Sequence, residues 1–256
     1  MKKFRGIFLK NDAEIALLRK ANRIVSVILD EMGEAVRPGV PTMRFENIAQ
    51  EMCRKFDVTP AFQGYGGFPY ALCCSVNEQV VHGFPSDRVL EEGDIVSFDM
   101  GVIYDGFYGD SARTFAVGAI PEETQRLIDV TRESLMRGIE RAVVGNRLYD
   151  VSKAIQEFVE LNGYSVVKRF VGHGIGRNLH EKPEVPNFVP RGATGPPIKA
   201  GMVIAVEPMV CLGSPDVEVL EDKWTAVTKD RKLSAHFEHT IALTHNGPEI
   251  LSRSDH

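Results

Sequence analysis

Three features of the chain predict an α+β fold. Four stretches have amphipathic helical spacing, short strand-like runs carry acidic residues, and the order helix, glycine-containing turn, helix, strands occurs in both halves. The first helix opens at Asn11 with Glu14 in capping-box spacing and carries Ile15, Leu18, Val25, Ile28, Leu29 and Met32 at helical intervals. A second begins at Thr42 and aligns Phe45, Ile48, Ala49, Met52 and Phe56. The third starts at Pro121-Glu122-Glu123 and presents Leu127, Ile128, Leu135 and Ile139. A fourth runs from about Tyr149, carries Val151, Ala154, Ile155, Phe158 and Val159, and stops near Gly163. Arg37-Pro38-Gly39-Val40 leads into the second helix as Val144-Gly145-Asn146 leads into the fourth, which is the sign of an internal duplication.

Between the helix pairs lies a hairpin signal. Asp94–Asp99 and Gly109–Phe115 read as strands on either side of Tyr104-Asp105-Gly106, and Asp-Gly favours a two-residue turn. With Asp105 and Gly106 as the turn, Asp110 lies opposite Gly101, so Asp99 and Asp110 are diagonal neighbours roughly 7–8 Å apart. With the turn slipped to Tyr104-Asp105 they are directly opposed. Both registers keep the two aspartates on one face.

The chain of 256 residues contains no Ser/Pro-rich linker, charge block or low-complexity tract, so one domain over 1–256 is expected. Hydrophobic residues make up 43%, enough for a core, and the net charge of −5 argues against a general nucleic-acid surface. MKKFRGIFLK lacks a long apolar segment, and no 18-residue apolar run occurs, so a soluble cytoplasmic protein is expected. Cys53, Cys73, Cys74 and Cys211 show neither CxxC spacing nor a dense framework and are expected to be reduced thiols.

The chemistry is concentrated in Asp99, Asp110, His173, Glu207 and Glu238. Each sits in an apolar stretch (VSFDMG, FYGDSART, FVGHGIGR, VIAVEPMV, AHFEHTIAL), where an ionised side chain is costly unless neutralised. Four carboxylates match the charge of two divalent cations. Oxygen donors with a single imidazole suit Mn, Fe, Co or Zn, and a metal pair about 3.5–4 Å apart is a hydrolytic arrangement.

Asp99 and Asp110 eleven residues apart, the latter in DGFYGDSART, are followed by GHGIGRNLHE, VEPM and FEHT. In that order and at those separations they resemble the type 1 methionine aminopeptidases, over nearly the whole chain. The resemblance implies the pita-bread (creatinase/aminopeptidase-like) fold, a curved antiparallel sheet backed by helices, with internal pseudo-two-fold symmetry and a dinuclear site. It implies removal of the initiator methionine from nascent proteins when the second residue is small, by dinuclear-metal-assisted peptide hydrolysis. Asp99 then chelates one metal, Asp110 and Glu238 bridge both, and His173 and Glu207 complete the other. Glu207 is also the general base that handles the proton of the attacking water. The substrate's free α-amine is received on the Asp99 side.

The resemblance further implies that His180 contacts the scissile carbonyl and that His82 lies near the scissile amide. It lines a methionine slot with Phe62, Tyr65, Phe68, Cys73, His82, Leu179 and Trp224, where Leu179 departs from the aromatic residue expected and enlarges the pocket. Gly64-Tyr65-Gly66-Gly67 lacks the Lys-Ser/Thr and helix of a phosphate loop and reads as a loop shaping this slot. His236, two residues before Glu238, and His239 are expected to be structural. The implied partners are nascent polypeptides with amino-terminal Met and the ribosome, with the enzyme a compact, bacterial-type monomer.

Two alternatives bear on this reading. A prolidase or proline-specific aminopeptidase uses five such ligands but usually carries an extra amino-terminal domain, for which the chain before Asp94 leaves no room. A catalytically dead binding module loses ligands, whereas all five residues are present, with both helper histidines. No basic amphipathic stripe or aromatic-interleaved patch supports a lipid- or nucleic-acid-binding protein.

The chain's own start offers a check on specificity. Its second residue, Lys2, is large, so natively produced protein should retain Met1. Intact-mass measurement showing loss of Met1 counts against selectivity for a small second residue.

Overall fold

Capping and apolar spacing place the helices close to where the sequence puts them. In the computed structural model, which describes residues 2–253, α1 spans Asp12–Ala35, α2 Met43–Phe56, α3 Glu122–Arg141 and α4 Leu148–Leu161. Met1, discussed above, lies outside the described residues. The Asn11 capping box is formed: the Glu14 N–H donates to Asn11 Oδ1 (2.9 Å) and the Asn11 N–H to Glu14 Oε2 (3.1 Å), a cap worth about 1 kcal/mol. Thr42 stands just before α2 but does not cap it. Its hydroxyl instead donates to the Ser86 carbonyl and accepts from the Ser86 N–H, both at 2.9 Å.

Each helix pair backs its own antiparallel strands. In the first half, α1 and α2 bury Val25, Leu29, Phe45 and Ile48 against Leu72, Val76, Val96 and Phe98. The strands there are Thr59–Pro60, Leu72–Val76, Ile95–Tyr104 and Phe107–Ala116. In the second half, α3 and α4 bury Leu127, Leu135, Val151 and Ile155 against Ile204, Val206, Val210 and Ile241. A five-stranded sheet there runs in the order Glu181–Val185, Gly172–Gly174, Val203–Val206, His239–Thr244, Gly247–Ile250. The two halves share the order of a helix pair followed by its sheet strands. Residues from both halves, among them Leu18, Phe62, Phe107, Ile175, Leu179 and Val203, meet in a third apolar cluster.

The aspartate hairpin adopts the first of the two registers considered. Gly101 pairs with Asp110 and Asp99 with Ala112. Asp105 (φ 48°) and Gly106 (φ 74°) both take positive φ, as a type I′ turn requires and as the Asp-Gly pair tolerates. All four cysteines are buried and unpaired. Among the described residues no helix is long and apolar enough to cross a membrane.

Helix α1 sits directly on the second hairpin strand because Gly109 has no side chain. A Cβ there would lie 2.6 Å from the carbonyl carbon of Ala21 and 2.7 Å from the amide nitrogen of Asn22. Since both neighbours are helix backbone, Gly109→Ala should destabilise the protein by about 1–3 kcal/mol, the usual cost of overpacking. Urea denaturation checks this as a lower midpoint at constant slope. An unchanged midpoint would show that α1 has room to move off the strand.

Candidate metal centre

The two aspartates come from the hairpin, His173 from the strand Gly172–Gly174, and Glu207 from the residue after the strand Val203–Val206. Glu238 lies between the strands Ser234–His236 and His239–Thr244. Backbone hydrogen bonds join these pieces. The Glu238 N–H donates to the Ala112 carbonyl (2.9 Å), and Ser111 Oγ donates to the Glu238 carbonyl (2.7 Å). Asp110 is held from two sides: its N–H donates to Asn22 Oδ1 on α1 (3.1 Å), and Thr240 Oγ1 donates to its carbonyl (2.8 Å). Asn187 Nδ2 donates to the Glu207 carbonyl (2.8 Å). The carboxylates are therefore aimed by main chain that is itself fixed.

Ligand atoms of Asp110, His173 and Glu238 lie within 4.8 Å of one another, and all three residues are buried. His173 Nδ1 is 3.0 Å from the Gly174 carbonyl, which can only accept, so Nδ1 carries the proton and Nε2 a lone pair. That lone pair faces Glu207 Oε1 at 3.6 Å and Asp110 Oδ2 at 3.8 Å. Three electron-rich atoms aimed together in a dry interior repel unless a cation or a proton lies among them. Asp99 Oδ1, Asp110 Oδ1 and Glu238 Oε1 are likewise buried with no hydrogen-bond partner. These orphaned oxygens and the bare imidazole nitrogen fit a divalent-cation site, and an outward Nδ1–H bond is the usual way of fixing a metal-binding imidazole.

Burial and mutual repulsion push all four carboxyls towards their neutral forms. Desolvation raises Asp99 from 3.8 to about 7, a rise moderated by its hydrogen bond with Asp110. Asp110, Glu207 and Glu238 are raised well above the usual carboxylate range by burial and by the neighbouring acids. His173 is pushed down to about 3, chiefly by desolvation, and so stays neutral.

The same cluster forms one wall of a cavity of about 240 Å³ whose other walls are mostly apolar. All seven residues expected in a methionine slot line it: Phe62, Tyr65, Phe68, Cys73, His82, Leu179 and Trp224. Phe68 meets the Trp224 ring edge-on at 5.1 Å between centroids. Cys73 stands directly across the strand pair from Asp99, and burial beside the acids raises its thiol so far that it remains a neutral surface. His82 holds positive φ (60°), an uncommon conformation for a residue with a side chain, and its ring packs edge-on against Phe170 at 5.5 Å. Burial depresses its pKa to about 4, so it is neutral too.

His180 lies at the rim, 4.3 Å from the His173 ring, with Nδ1 2.7 Å from Tyr65 Oη. Its loop is held from below by Glu181. One carboxylate oxygen of Glu181 accepts from the Arg177 and Asn178 N–H groups (3.0 and 3.3 Å), and the other accepts from Lys10 Nζ (2.7 Å), an ion pair closed off from solvent.

Sequence reasoning missed several contributors. Phe170, Val81 and Val171 line the cavity but are apolar side chains with nothing in their type to distinguish them from core. Asn22 carried a usable signal, being a polar side chain four residues after Leu18 and three before Val25 on the buried face of α1. His239, expected to be structural, has Nδ1 2.8 Å from Ser252 Oγ. His236, also expected to be structural, has its Nε2 3.8 Å from Glu207 Oε2.

Comparison with known proteins agrees with this geometry. Residues 16–245 match the model of metallopeptidase family M24. The chain is 56% identical over 246 residues to the methionine aminopeptidase of Clostridium perfringens, covering 96% of this chain and 98% of that protein. It is 46% identical over 247 residues to methionine aminopeptidase 1 of Bacillus subtilis, covering 96% and 99%. The crystal structure of methionine aminopeptidase from Thermotoga maritima superposes with a TM-score of 0.94 at 48% identity, covering 97% of this chain and all (100%) of that one. Prolidase from Pyrococcus furiosus shares the pita-bread fold at a TM-score of 0.77 and 23% identity, over 97% of this chain and 66% of its own.

Crowding of the acids gives the metal-free protein a distinctive pH dependence. A carboxyl raised from 3.8 to about 7 binds its proton more tightly folded than unfolded, so stability falls as pH rises through that interval. A bound divalent cation removes the repulsion. The gap in melting temperature between metal-loaded and metal-free protein should therefore widen as pH rises from 3.8 towards 7, and adding Mn2+ or Co2+ at pH 7 should release protons. A constant gap with no proton release would mean that the acids are already compensated.

Proposed function

The chain belongs to metallopeptidase family M24, in its methionine aminopeptidase branch, and from that premise we propose that it removes the initiator methionine from nascent proteins whose second residue is small. The observation that carries the reading is the lone pair of His173 Nε2 aimed among buried carboxylate oxygens, beside an apolar cavity of about 240 Å³. Asp99, Asp110, His173, Glu207 and Glu238 would hold two divalent ions, drawn from Mn, Fe, Co and Zn, whose four positive charges match the four carboxylates. When bound, they supply Lewis acidity and lower the pKa of water.

The chain's own residues do the rest. Glu207, whose carboxyl is raised well above the usual range by burial and the neighbouring acids, takes a proton from the attacking water and passes it on. With the Tyr65 hydroxyl donating to His180 Nδ1, Nε2 carries the proton and steadies the scissile carbonyl oxygen as charge develops on it. His82, neutral and fixed by its packing on Phe170, borders the scissile amide. Phe68, Trp224, Leu179, Phe62, Tyr65 and the uncharged Cys73 take the thioether side chain without offering it a charge. The free α-amine is received at the Asp99 end, which restricts cleavage to chain ends. Residues 1–256 act as one catalytic domain, a monomer that works in the cytoplasm on nascent chains and in contact with the ribosome.

Release of free methionine from Met-Ala-Ser and Met-Lys-Ser, by metal-stripped protein with and without added Mn2+ or Co2+, tests the reading. Metal-dependent cleavage of Met-Ala-Ser alone is expected, and Asp110→Asn or Glu238→Ala should each abolish it. Cleavage of neither peptide by protein that binds metal would assign the site to another hydrolysis within the fold. Near-full activity in either variant would break the two-metal assignment.

A further inference from the structure

His236 is 1% exposed, and its Nε2 has no hydrogen-bond partner. Leaving a buried ring nitrogen without a partner is costly, so a ring held in this state has a use or a partner close by. The nearest charged group is Glu207, whose Oε2 is 3.8 Å away, while Glu207 Oε1 is 3.6 Å from His173 Nε2. Glu207 thus stands between two imidazoles, one at each oxygen. His236 is not among the residues whose donor atoms gather within 4.8 Å, which are Asp110, His173 and Glu238.

The main chain of His236 cannot drift. Its strand pairs Met209 with His236, its N–H donates to Thr114 Oγ1, and Thr114 Oγ1 donates to its carbonyl, both at 2.9 Å. Any closure of the remaining gap therefore falls to the side-chain torsions of Glu207 and His236, and less than about 1 Å brings the pair to a hydrogen bond.

We propose that His236 is a positioning residue for Glu207: its Nε2–H donates to Glu207 Oε2 and turns Oε1 towards His173 and the metal-binding side. This rests on the reading of Glu207 as a metal ligand and base. It gives the two imidazoles opposite protonation patterns. His173 donates outward through Nδ1 and presents a lone pair inward, whereas His236 presents its N–H inward and is not a ligand. It replaces the purely structural role expected for His236 from its sequence position.

The test pairs two substitutions in the full-length protein. His236→Gln keeps an N–H at comparable reach; His236→Met fills similar volume without a donor. Mn2+ affinity is measured by titration calorimetry, kcat and KM with Met-Ala-Ser, and folding by thermal denaturation without metal. The Met variant should lose about 10–100-fold in Mn2+ affinity or kcat, the usual effect of removing a partner of a metal ligand, with KM little changed. The Gln variant should recover most of that loss. Independently of any variant, 15N NMR of the wild type should show His236 protonated at Nε2. A bare Nε2, a folded Met variant that matches wild type, or a Gln variant no better than the Met variant overturns the inference alone. Wild type that binds no Mn2+ defeats it together with the reading of the site.

Discussion

Asp99, Asp110, Glu207 and Glu238 lie close enough together, and far enough from water, that ionising any one raises the cost of ionising the next. Left alone, such a group would take up protons, admit water or push its strands apart. The rest of the molecule is organised to prevent the last of these. Asp110 and Glu238, from opposite halves of the chain, meet because Glu238 is tied at both its N–H and its carbonyl to residues 111 and 112 of the hairpin. Asn22 and Thr240 tie Asp110 in the same way to α1 and to a strand of the other half. None of these ties uses a carboxylate oxygen. The backbone and neutral side chains bear the positioning, and the charged atoms remain free for a cation.

That division explains why α1 packs without a side chain between it and the hairpin at Gly109. A larger residue there would lift the helix, and with Asn22 on the same surface, lifting the helix would release the Asp110 main chain. The core and the site are in this sense one structure. The cluster containing Leu18, Phe107, Ile175 and Leu179 packs both halves together directly beside the cavity. Packing energy contributed by apolar residues offsets the electrostatic cost of holding the acids close.

Much of this was legible in the sequence, because it is local or strongly patterned. The capping box at Asn11, the apolar faces of the four helices and the Asp-Gly turn each depend on residues a few positions apart. The turn alone left two registers open, and the observed pairing of Gly101 with Asp110 chooses the one that leaves Asp105 and Gly106 at positive φ. The four acids and the imidazole stood out because ionisable groups in apolar runs demand an explanation. Phe170 and Val81 did not stand out, since an apolar residue lining a cavity and one filling a core look alike until the fold bends the chain around empty space. The approach of His236 to Glu207 was not legible for a related reason: strand parity places it on the face of Glu238, but only the pairing of its strand with Met209–Cys211 brings its ring within 3.8 Å of Glu207.

The neutral side of the cavity is as necessary as the charged one. His82 and His173 are kept uncharged by burial, and Cys73 is kept a thiol by burial and by the acids beside it. A cation among these residues would compete with metal for the carboxylates, and a thiolate would add a soft ligand that changes which metal is preferred. By holding every group except the four acids neutral, the site leaves the carboxylates without an internal counter-charge. The cluster then has one way to relieve its repulsion that keeps the acids ionised, which is to bind cations from outside. A site that is costly when bare thereby acquires affinity for the ions its chemistry needs, and the surrounding packing has to be stable enough to wait for them.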